Sequence, residues 1–252
     1  MQIVTFASDY GSVDGYAAAV KGVIKSIAPA VEIIDVTHEL TAISKAAFVL
    51  NRYWKDFPKG TIHLVVVDPT VGTSRKALAG YAAGHFFVGP DNGLFSYIIL
   101  NANKSVWRRI EPANIFTRRL STTFHGRDIF APAAAMLANN ALIGKFGPLV
   151  KNPVCLPLSG PVIMGSKIRG EIIDIDSFGN LIINIPGGKI RHDSTVMMKR
   201  KTIPFARTFA DLPVGTPMAY IGSMGYLEIA VNSGRADRYF KVSVGARVTV
   251  IS

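Results

Sequence analysis

The sequence predicts an α/β domain with a mainly parallel central sheet, followed by a smaller antiparallel, β-barrel-like domain. In the first half of the chain, apolar strand-like runs alternate with helical patterns, which is typical of parallel βαβ units. Residues 144–166 then contain four prolines and four glycines with little periodicity, and short strands separated by turn signals follow. We therefore expect an N-terminal α/β domain over 1–145, a linker over 146–166 and a C-terminal β-domain over 167–252.

The elements of the first domain follow from their apolar patterns. IVTFAS at 3–8 is rich in β-branched and aromatic residues and predicts a buried strand, after which a glycine-containing turn leads into a helix that runs until Pro29. TIHLVVVD at 61–68 is the strongest strand signal, a near-continuous apolar run typical of a central parallel strand. The other predicted elements are a strand at 31–37, a helix at 43–57, the short strands ALAGYAA and HFFVG, a turn at 90–93 leading into a helix, and a helix at 128–141.

The second domain is predicted to contain only short strands. Turn residues separate them, which favours antiparallel pairing and a barrel-like arrangement. The predicted strands are KIRGEIIDID at 167–176, NLIINIP at 180–186, TVMMK at 195–199, PMAYIG at 217–222, YLEIAV at 226–231 and RVTVIS at 247–252.

The composition of the 252 residues, 49% of them hydrophobic, argues against several classes of protein. No apolar stretch approaches the roughly 18 residues of a membrane-spanning helix, so we expect no membrane partner. The start MQIVTFASDYG lacks a basic leader, and Cys155 is the single cysteine; both features predict a cytoplasmic protein without intrachain disulfides. The net charge of +11 is spread along the chain, and its tightest run, at 199–201, is interpreted as a solvated turn, which argues against a nucleic-acid partner.

Polar residues follow the predicted parallel strands. Asp9 closes the first strand, Asp68 closes the strand at 61–68 and is followed by a loop that brings Arg75 back towards it, and His125 precedes a helix. The carboxyl ends of parallel strands form the usual ligand-binding edge of such a sheet. Each residue has a structural alternative: a helix cap for Asp9, an ion pair for Asp68 and Arg75, and a loop histidine without a role for His125.

Other common sites are missing from the sequence. There is no zinc-ligand spacing, no Walker A or G-x-G-x-x-G loop after the first strand, and no G-x-S-x-G motif, so we expect no metal or nucleotide cofactor and no α/β-hydrolase. The second domain has one polar cluster between Asp174 and Asn184, with Asp176, Phe178 and Asn180 in it. Its alternative interpretation is a hairpin turn.

Seven segments, taken together, occur in the same order in one known protein family. They are SDYG (8–11), IIDVTHEL (33–40), VVVDPTVGTSR (65–75), FFVGPDNGLFS (86–96), TFHGRDIFAPAAA (123–135), DSFGNLIINI (176–185) and YIGSMGYLEIAVN (220–232). With them the chain resembles the S-adenosyl-L-methionine (SAM) hydroxide adenosyltransferase family, the adenosine-forming SAM hydrolases related to the bacterial fluorinase and chlorinase. The resemblance implies a homotrimer of two-domain subunits.

The resemblance also implies a reaction. Water or hydroxide would attack the ribose C5′ of SAM and release adenosine and L-methionine, at a site between domains and between subunits, with SAM as substrate and no cofactor. A SAM-dependent halogenase and a SAM- or adenosine-binding module without catalysis are the alternatives. The halogenases have tyrosine at the position of His125, so this histidine favours hydrolysis.

The resemblance assigns roles to individual residues. Asp68, Arg75 and His125 correspond to the set that positions and activates the water, and Asp9 corresponds to the carboxylate that binds the ribose diol. The remaining expected substrate contacts are Phe124; Asp176 and Asn180 around the methionine end, with Phe178 in the same motif; Ser223 at the amino-acid carboxylate; and Val231 and Asn232 in the segment that contacts the adenine.

Two positions depart from the family pattern. Thr70 stands where family members usually have glycine, so the loop after Asp68 is expected to take a slightly different path. Met224 follows Ser223 where the fluorinase has an arginine, which weakens the transfer of the carboxylate contacts.

Overall fold

The computed structural model of the protein describes residues 2–115, 120–191 and 193–252. The chain divides into two compact units, Met1–Pro157 and Leu158–Ser252. Each unit has its own buried apolar core. The first unit is an α/β fold and the second is antiparallel β, so the predicted fold class is confirmed.

The first unit is built on a mostly parallel sheet. Its strands within the described residues are β1 (Ile3–Ser8), β2 (Glu32–Thr37), β3 (Ile62–Val66), β4 (Ala77–Ala82), β5 (His85–Pro90) and β6 (Ser105–Arg109). They lie in the order β2-β1-β3-β5-β4-β6, and the first four are mutually parallel whereas β4 is antiparallel to both of its neighbours. β6 was not predicted, because this edge strand is short and charged and buries only Trp107.

Helices accompany this sheet. They are α1 (Tyr16–Ile27), α2 (Ile43–Tyr53), α3 (Ser96–Asn101) and α4 (Ala131–Ala138), with a π-helical turn (Gly126–Phe130) directly before α4. In α1 the buried residues Ala17, Val20 and Ile24 recur at helical spacing and form the apolar face. Every residue of α4 is buried, and its small side chains let it pack closely against α1. In the part of the chain that the structure describes, no helix is both long and apolar enough to cross a lipid bilayer.

Two helices end earlier than their sequence patterns predict. α2 ends at Tyr53 and a single 3-10 turn follows, because the residue before Pro58 is pushed into an extended conformation. α4 ends at Ala138, because Asn140 takes a left-handed conformation with φ of 62° that stops the helix. The types of both elements were predicted correctly, and their ends were wrong.

Two histidines are buried near the amino ends of β3 and β5. His63 has no exposed surface; its Nδ1 lies 2.9 Å from the hydroxyl of Thr5, and its Nε2 lies 3.2 Å from Nδ1 of His85. Burial, together with the charge of His85, lowers the pKa of His63 to about 3. Both rings therefore belong to the core and are neutral at physiological pH.

This burial predicts a loss of stability in acid. Because the folded pKa of His63 lies below the value of about 6.5 in an unfolded chain, the unfolded state binds the proton first. The free energy of unfolding should therefore fall, through this residue, by up to about 1.4 kcal/mol for each pH unit between pH 6.5 and the folded pKa. Urea unfolding of the wild type and of His63→Phe at several pH values measures this slope. Identical slopes would show that His63 does not titrate as its burial requires.

The second unit is an antiparallel barrel. Within the described residues its elements are β7 (Val162–Met164), β8 (Lys167–Ile175), β9 (Leu181–Pro186), β10 (Thr195–Met198), β11 (Lys201–Ile203), β12 (Pro217–Ile221), β13 (Tyr226–Val231), α5 (Ala236–Phe240) and β14 (Arg247–Ile251). The strand order is β11-β10-β14-β8-β9-β13-β12, and β7 pairs with β8. Backbone hydrogen bonds of 2.9 Å join Ala219 in β12 to Pro204 and Ala206, just after β11, so the ends of the sheet meet. The predicted barrel-like form is confirmed, and the predicted linker at 146–166 includes the division between the units.

Candidate active site

Two adjacent strands, β1 and β3, place two aspartates at one edge of the sheet. Asp9 follows β1 directly, and its N–H donates to the carbonyl oxygen of Val66 at 3.2 Å. Asp68 lies just beyond β3, and its N–H donates to Oδ2 of Asp9 at 3.1 Å. The two carboxylates are therefore fixed side by side at the carboxyl ends of parallel strands, the usual ligand-binding edge.

The loop after Asp68 folds back over this edge. Gly72 has a φ of 82°, and a Cβ atom there would lie 2.7 Å from the carbonyl oxygen of Thr122. Both the left-handed backbone and this close approach require glycine. The contact joins the loop that carries Arg75 to the loop that carries His125, so two segments distant in sequence meet.

Thr70, where family members usually have glycine, is accommodated without a left-handed backbone. Its hydroxyl donates to Oδ1 of Asp68 at 3.2 Å, and its carbonyl oxygen accepts from the hydroxyl of Thr73 at 2.8 Å. The departure therefore adds a hydrogen bond to the carboxylate of Asp68.

Arg75 and Asp68 form a buried ion pair. Nε of Arg75 donates to the two oxygens of Asp68 at 3.1 and 2.9 Å, and NH2 donates to Oδ2 as well. The side chains are only 8% and 6% exposed, respectively. The guanidinium carbon also lies 5.2 Å from the centre of the fully buried ring of Phe130. Bidentate pairing and stacking together hold the guanidinium in one orientation.

His125 completes a continuous hydrogen-bonded chain. Its Nδ1 lies 2.8 Å from NH2 of Arg75, and an arginine can only donate, so Nδ1 accepts. Burial and the positive charge of Arg75 lower the pKa of His125. The ring is therefore neutral at pH 7 and carries its proton on Nε2, which makes it a hydrogen-bond donor towards a ligand.

The segment around His125 is held by a residue whose role the sequence did not reveal. Asp128 is 4% exposed, accepts from the N–H of Ser121 at 2.7 Å, and pairs with the guanidinium of Arg127 at 2.6 and 2.9 Å. It ties the loop before His125 to the π-helical turn after it. In the sequence, this carboxylate appears only as the first residue of the predicted helix at 128–141.

Phe124 faces an aromatic cavity beside His125. Its ring lies edge-on to Tyr10 at 5.6 Å and to Tyr16 at 5.3 Å, and the guanidinium of Arg127 lies 4.8 Å from the ring centre. These four residues line an open cavity of about 560 Å³. Such a surface can accept a flat, apolar part of a ligand.

Asp9 is the accessible carboxylate of this edge. The residue as a whole is exposed, but partial burial of its carboxyl group and the neighbouring charge of Asp68 raise its pKa. Asp9 therefore offers a hydrogen-bond acceptor for hydroxyl groups, whereas His125 offers a donor. Over the described residues, no three His, Cys, Asp or Glu side chains lie close enough together to hold a metal ion.

In the second unit, the predicted residues of the turn after β8 form a compact motif. Asp176 accepts from the backbone N–H of Asn180 at 2.9 Å and from its side-chain amide at 3.0 Å. Phe178, at the tip of this turn, is 75% exposed. Arg235, which was not among the predicted site residues, donates to the carbonyl oxygen of Ser177 at 2.8 Å and fixes the turn.

The hairpin between β12 and β13 carries Ser223. This serine is exposed within a tight turn. Close by, the hydroxyl of Tyr220 donates to Glu228 at 2.7 Å. Burial, this hydrogen bond and the negative charges of Glu228 and Asp176 raise the pKa of Tyr220. β9, which follows the turn at 176–180, pairs with β13, which follows this hairpin, so the two predicted segments precede neighbouring strands of the barrel.

Val231 and Asn232 lie at the end of β13, and their side chains contact other residues of the barrel. Val231 is 4% exposed and packs in the core. Asn232 donates from its side chain to Leu212 at 2.7 Å, and its N–H donates to the carbonyl oxygen of Thr216 at 3.0 Å. Their position fixes the loop before β12.

Comparisons with known proteins agree with these motifs. The family models described as SAM hydroxide adenosyltransferase N-terminal domain and C-terminal domain match residues 4–147 and 170–249. A protein of Thermus thermophilus named (R)-S-adenosyl-L-methionine hydrolase is 36% identical, covering 100% of both chains. A fluorinase of an Actinoplanes species is 26% identical, covering 98% of this chain and 97% of that protein.

Among solved structures, the chain is similar to an uncharacterized conserved protein from Thermotoga maritima. The TM-score is 0.92 at 36% identity, over 99% of this chain and 100% of that one. The similarity therefore extends over both units and is not confined to the site motifs. The family models, the full-length relatives and the motifs agree, and the chain belongs to the SAM hydroxide adenosyltransferase family.

Proposed function

We propose that the protein hydrolyses SAM to adenosine and L-methionine. The observation that carries this proposal is the hydrogen-bonded chain Asp68–Arg75–His125, next to Asp9 at the carboxyl edge of the sheet. Full-length relatives that are 31–36% identical and are named (R)-S-adenosyl-L-methionine hydrolase support it.

The substrate's sulfonium makes the reaction possible without a cofactor. The oxygen of water forms a bond to the ribose C5′, the C5′–S bond breaks, and its electron pair neutralises the sulfur of methionine. One proton of the water is released overall. Because methionine is already a good leaving group, the protein has to orient the water in line and stabilise its developing hydroxide character.

The directions of the hydrogen bonds around Arg75 and His125 leave two hydrogen-bond donors that can stabilise the attacking water. Arg75 donates to Asp68 and His125 through Nε and both N–H groups of NH2. Its NH1 has a single long contact, of 3.4 Å, to the carbonyl oxygen of Lys76. NH1 of Arg75 and the Nε2–H of His125 are the groups that can donate to the attacking water. Asp68 acts through Arg75 by keeping its guanidinium in place.

The remaining predicted residues bind the substrate in this proposal. Asp9 accepts hydrogen bonds from the ribose diol, and Phe124 contributes an apolar wall. The residues of the second unit are Asp176, Phe178 and Asn180 for the methionine end, Ser223 for its carboxylate, and Val231 and Asn232 for the adenine. Homotrimeric assembly stays a prediction, which light scattering of the purified protein measures directly.

Product analysis in isotopically labelled water tests the proposal. Purified protein is incubated with SAM in H₂¹⁸O, with and without chloride, and the products are separated by chromatography and analysed by mass spectrometry. We expect equal amounts of methionine and adenosine, with ¹⁸O on C5′ and no effect of chloride. A chlorinated nucleoside would establish the halogenase alternative. If SAM stays intact and a separate titration shows that the protein binds adenosine, only a binding function is left.

A further inference from the structure

A second hydrogen-bonded chain lies directly beside Asp9. The hydroxyl of Ser8 lies 2.8 Å from Nδ1 of His38, and Nε2 of His38 lies 3.2 Å from Oδ1 of Asp35. Lys21 donates to the other oxygen of Asp35 at 2.8 Å. The proposed reaction uses none of these side chains.

A β-bulge brings His38 into this position. The register of β1 against β2 shifts after Phe6, so that Val36 has no partner on β1. The extra residue advances β2 by one position, and His38 rather than Thr37 then lies level with Ser8. Bulges next to active sites commonly re-aim a side chain in this way.

The directions of the hydrogen bonds follow from the backbone. Ser8 accepts from the N–H of Tyr10 at 3.3 Å, so its own hydroxyl proton is available for Nδ1 of His38. With the hydroxyl of Ser8 as donor, Nδ1 of His38 accepts, and Nε2 carries the proton that faces Oδ1 of Asp35.

A serine, a histidine and an aspartate linked by hydrogen bonds also form the catalytic triad of enzymes that use a serine nucleophile. Ser8, however, has no exposed surface, and its oxygen already accepts a backbone hydrogen bond. A nucleophile needs access to its substrate, so this arrangement cannot act as a catalytic triad.

Backbone hydrogen bonds connect the same two residues to the turn that carries Asp9. The N–H of Gly11 donates to the carbonyl oxygen of His38 at 2.8 Å, and the N–H of Leu40 donates to the carbonyl oxygen of Ser8 at 3.2 Å. The ring of His38 also packs edge-on against Phe6 at 4.7 Å. His38 therefore contacts the turn at 8–11 on both sides of Asp9.

We propose that His38, bridging Ser8 and Asp35, is a positioning residue that holds the Asp9 carboxylate in its ligand-binding orientation. The inference rests on the proposed function, because it takes Asp9 as the ribose ligand. His38 touches no reacting atom in this arrangement, so its influence should appear in nucleoside affinity rather than in the chemical step.

The test is His38→Phe, which keeps the ring and its contact with Phe6 but removes both hydrogen bonds. We expect the Kd for adenosine and the KM for SAM to rise about tenfold, with kcat within about twofold of the wild type. His38→Asn, whose amide can still accept from Ser8, should recover most of the affinity. Equal affinities of His38→Phe and the wild type would overturn the proposal.

Two controls separate positioning from loss of stability. His85→Phe makes the same substitution at the amino end of the sheet, where it also removes a hydrogen bond, and adenosine affinity should not change. In an Asp9→Ala background, adding His38→Phe should have no further effect on adenosine affinity, because the carboxylate that His38 positions is already absent. Additive losses in the double variant would contradict the proposal.

The proposal and the proposed function can fail separately. If the wild type binds adenosine but does not cleave SAM, the proposed hydrolysis is wrong and the adenosine affinities still test His38. If the wild type cleaves SAM and His38→Phe has an unchanged KM, the positioning role alone is overturned.

Discussion

Arg75→Ala is expected to lower kcat for SAM hydrolysis by about 10³-fold while the Kd for SAM changes by less than about fivefold. The positive charge of the guanidinium stabilises the negative charge that develops on the attacking water. The guanidinium also fixes the tautomer of His125 through the 2.8 Å contact to Nδ1. Single-turnover kinetics measures the chemical step, and equilibrium binding at low temperature measures affinity. Equal losses in rate and affinity would contradict the assigned role.

This substitution also leaves the buried carboxylate of Asp68 without its partner. With side chains only 8% and 6% exposed, breaking the pair should cost about 3–5 kcal/mol of stability. The double variant Asp68→Asn/Arg75→Gln removes both charges and keeps polar side chains at both positions, so it is the control for the unpaired carboxylate. We expect the double variant to recover stability but not rate. Recovery of the rate together with stability would mean that Arg75 acts only through the fold.

Asp9→Ala is expected to raise the Kd for adenosine by about 100-fold, because two hydrogen bonds from the ribose hydroxyls to a charged acceptor are lost. The discrimination between adenosine and 2′-deoxyadenosine should disappear at the same time. Isothermal titration with both nucleosides measures this directly. If the variant still prefers adenosine over 2′-deoxyadenosine, Asp9 is not the ribose ligand.

The raised pKa of Asp9 adds a pH dependence to this prediction. Partial burial and the charge of Asp68 favour the protonated form, which accepts hydrogen bonds less well. Adenosine affinity of the wild type should therefore fall as the pH is lowered towards this pKa, above the range in which an ordinary aspartate titrates. Asp9→Ala should lack this fall, and an identical pH profile in both proteins would contradict the prediction.

Much of the first unit follows from local patterns in the sequence. The apolar run over β3 and the β-branched run over β1 predict buried parallel strands, and the position of Asp9 and Asp68 after these strands predicts that they share an edge. β6 escaped prediction because SVWRR has the composition of a solvated segment and buries a single side chain, that of Trp107, at the sheet edge. The helix ends were misplaced because a left-handed asparagine and the residue before a proline act on single positions, which periodicity does not register.

The sequence by itself determined the two-domain fold class, the family and the residue types of the site, because these depend on hydrophobic periodicity and on short motifs. Tertiary structure alone decided how those residues act. The proton on Nε2 of His125 follows from a contact with Arg75, 50 positions away, and the role of His38 follows from a bulge that sets it level with Ser8. The direction of a hydrogen bond and the register of two strands depend on which groups come into contact after folding. Local sequence patterns do not specify these long-range contacts.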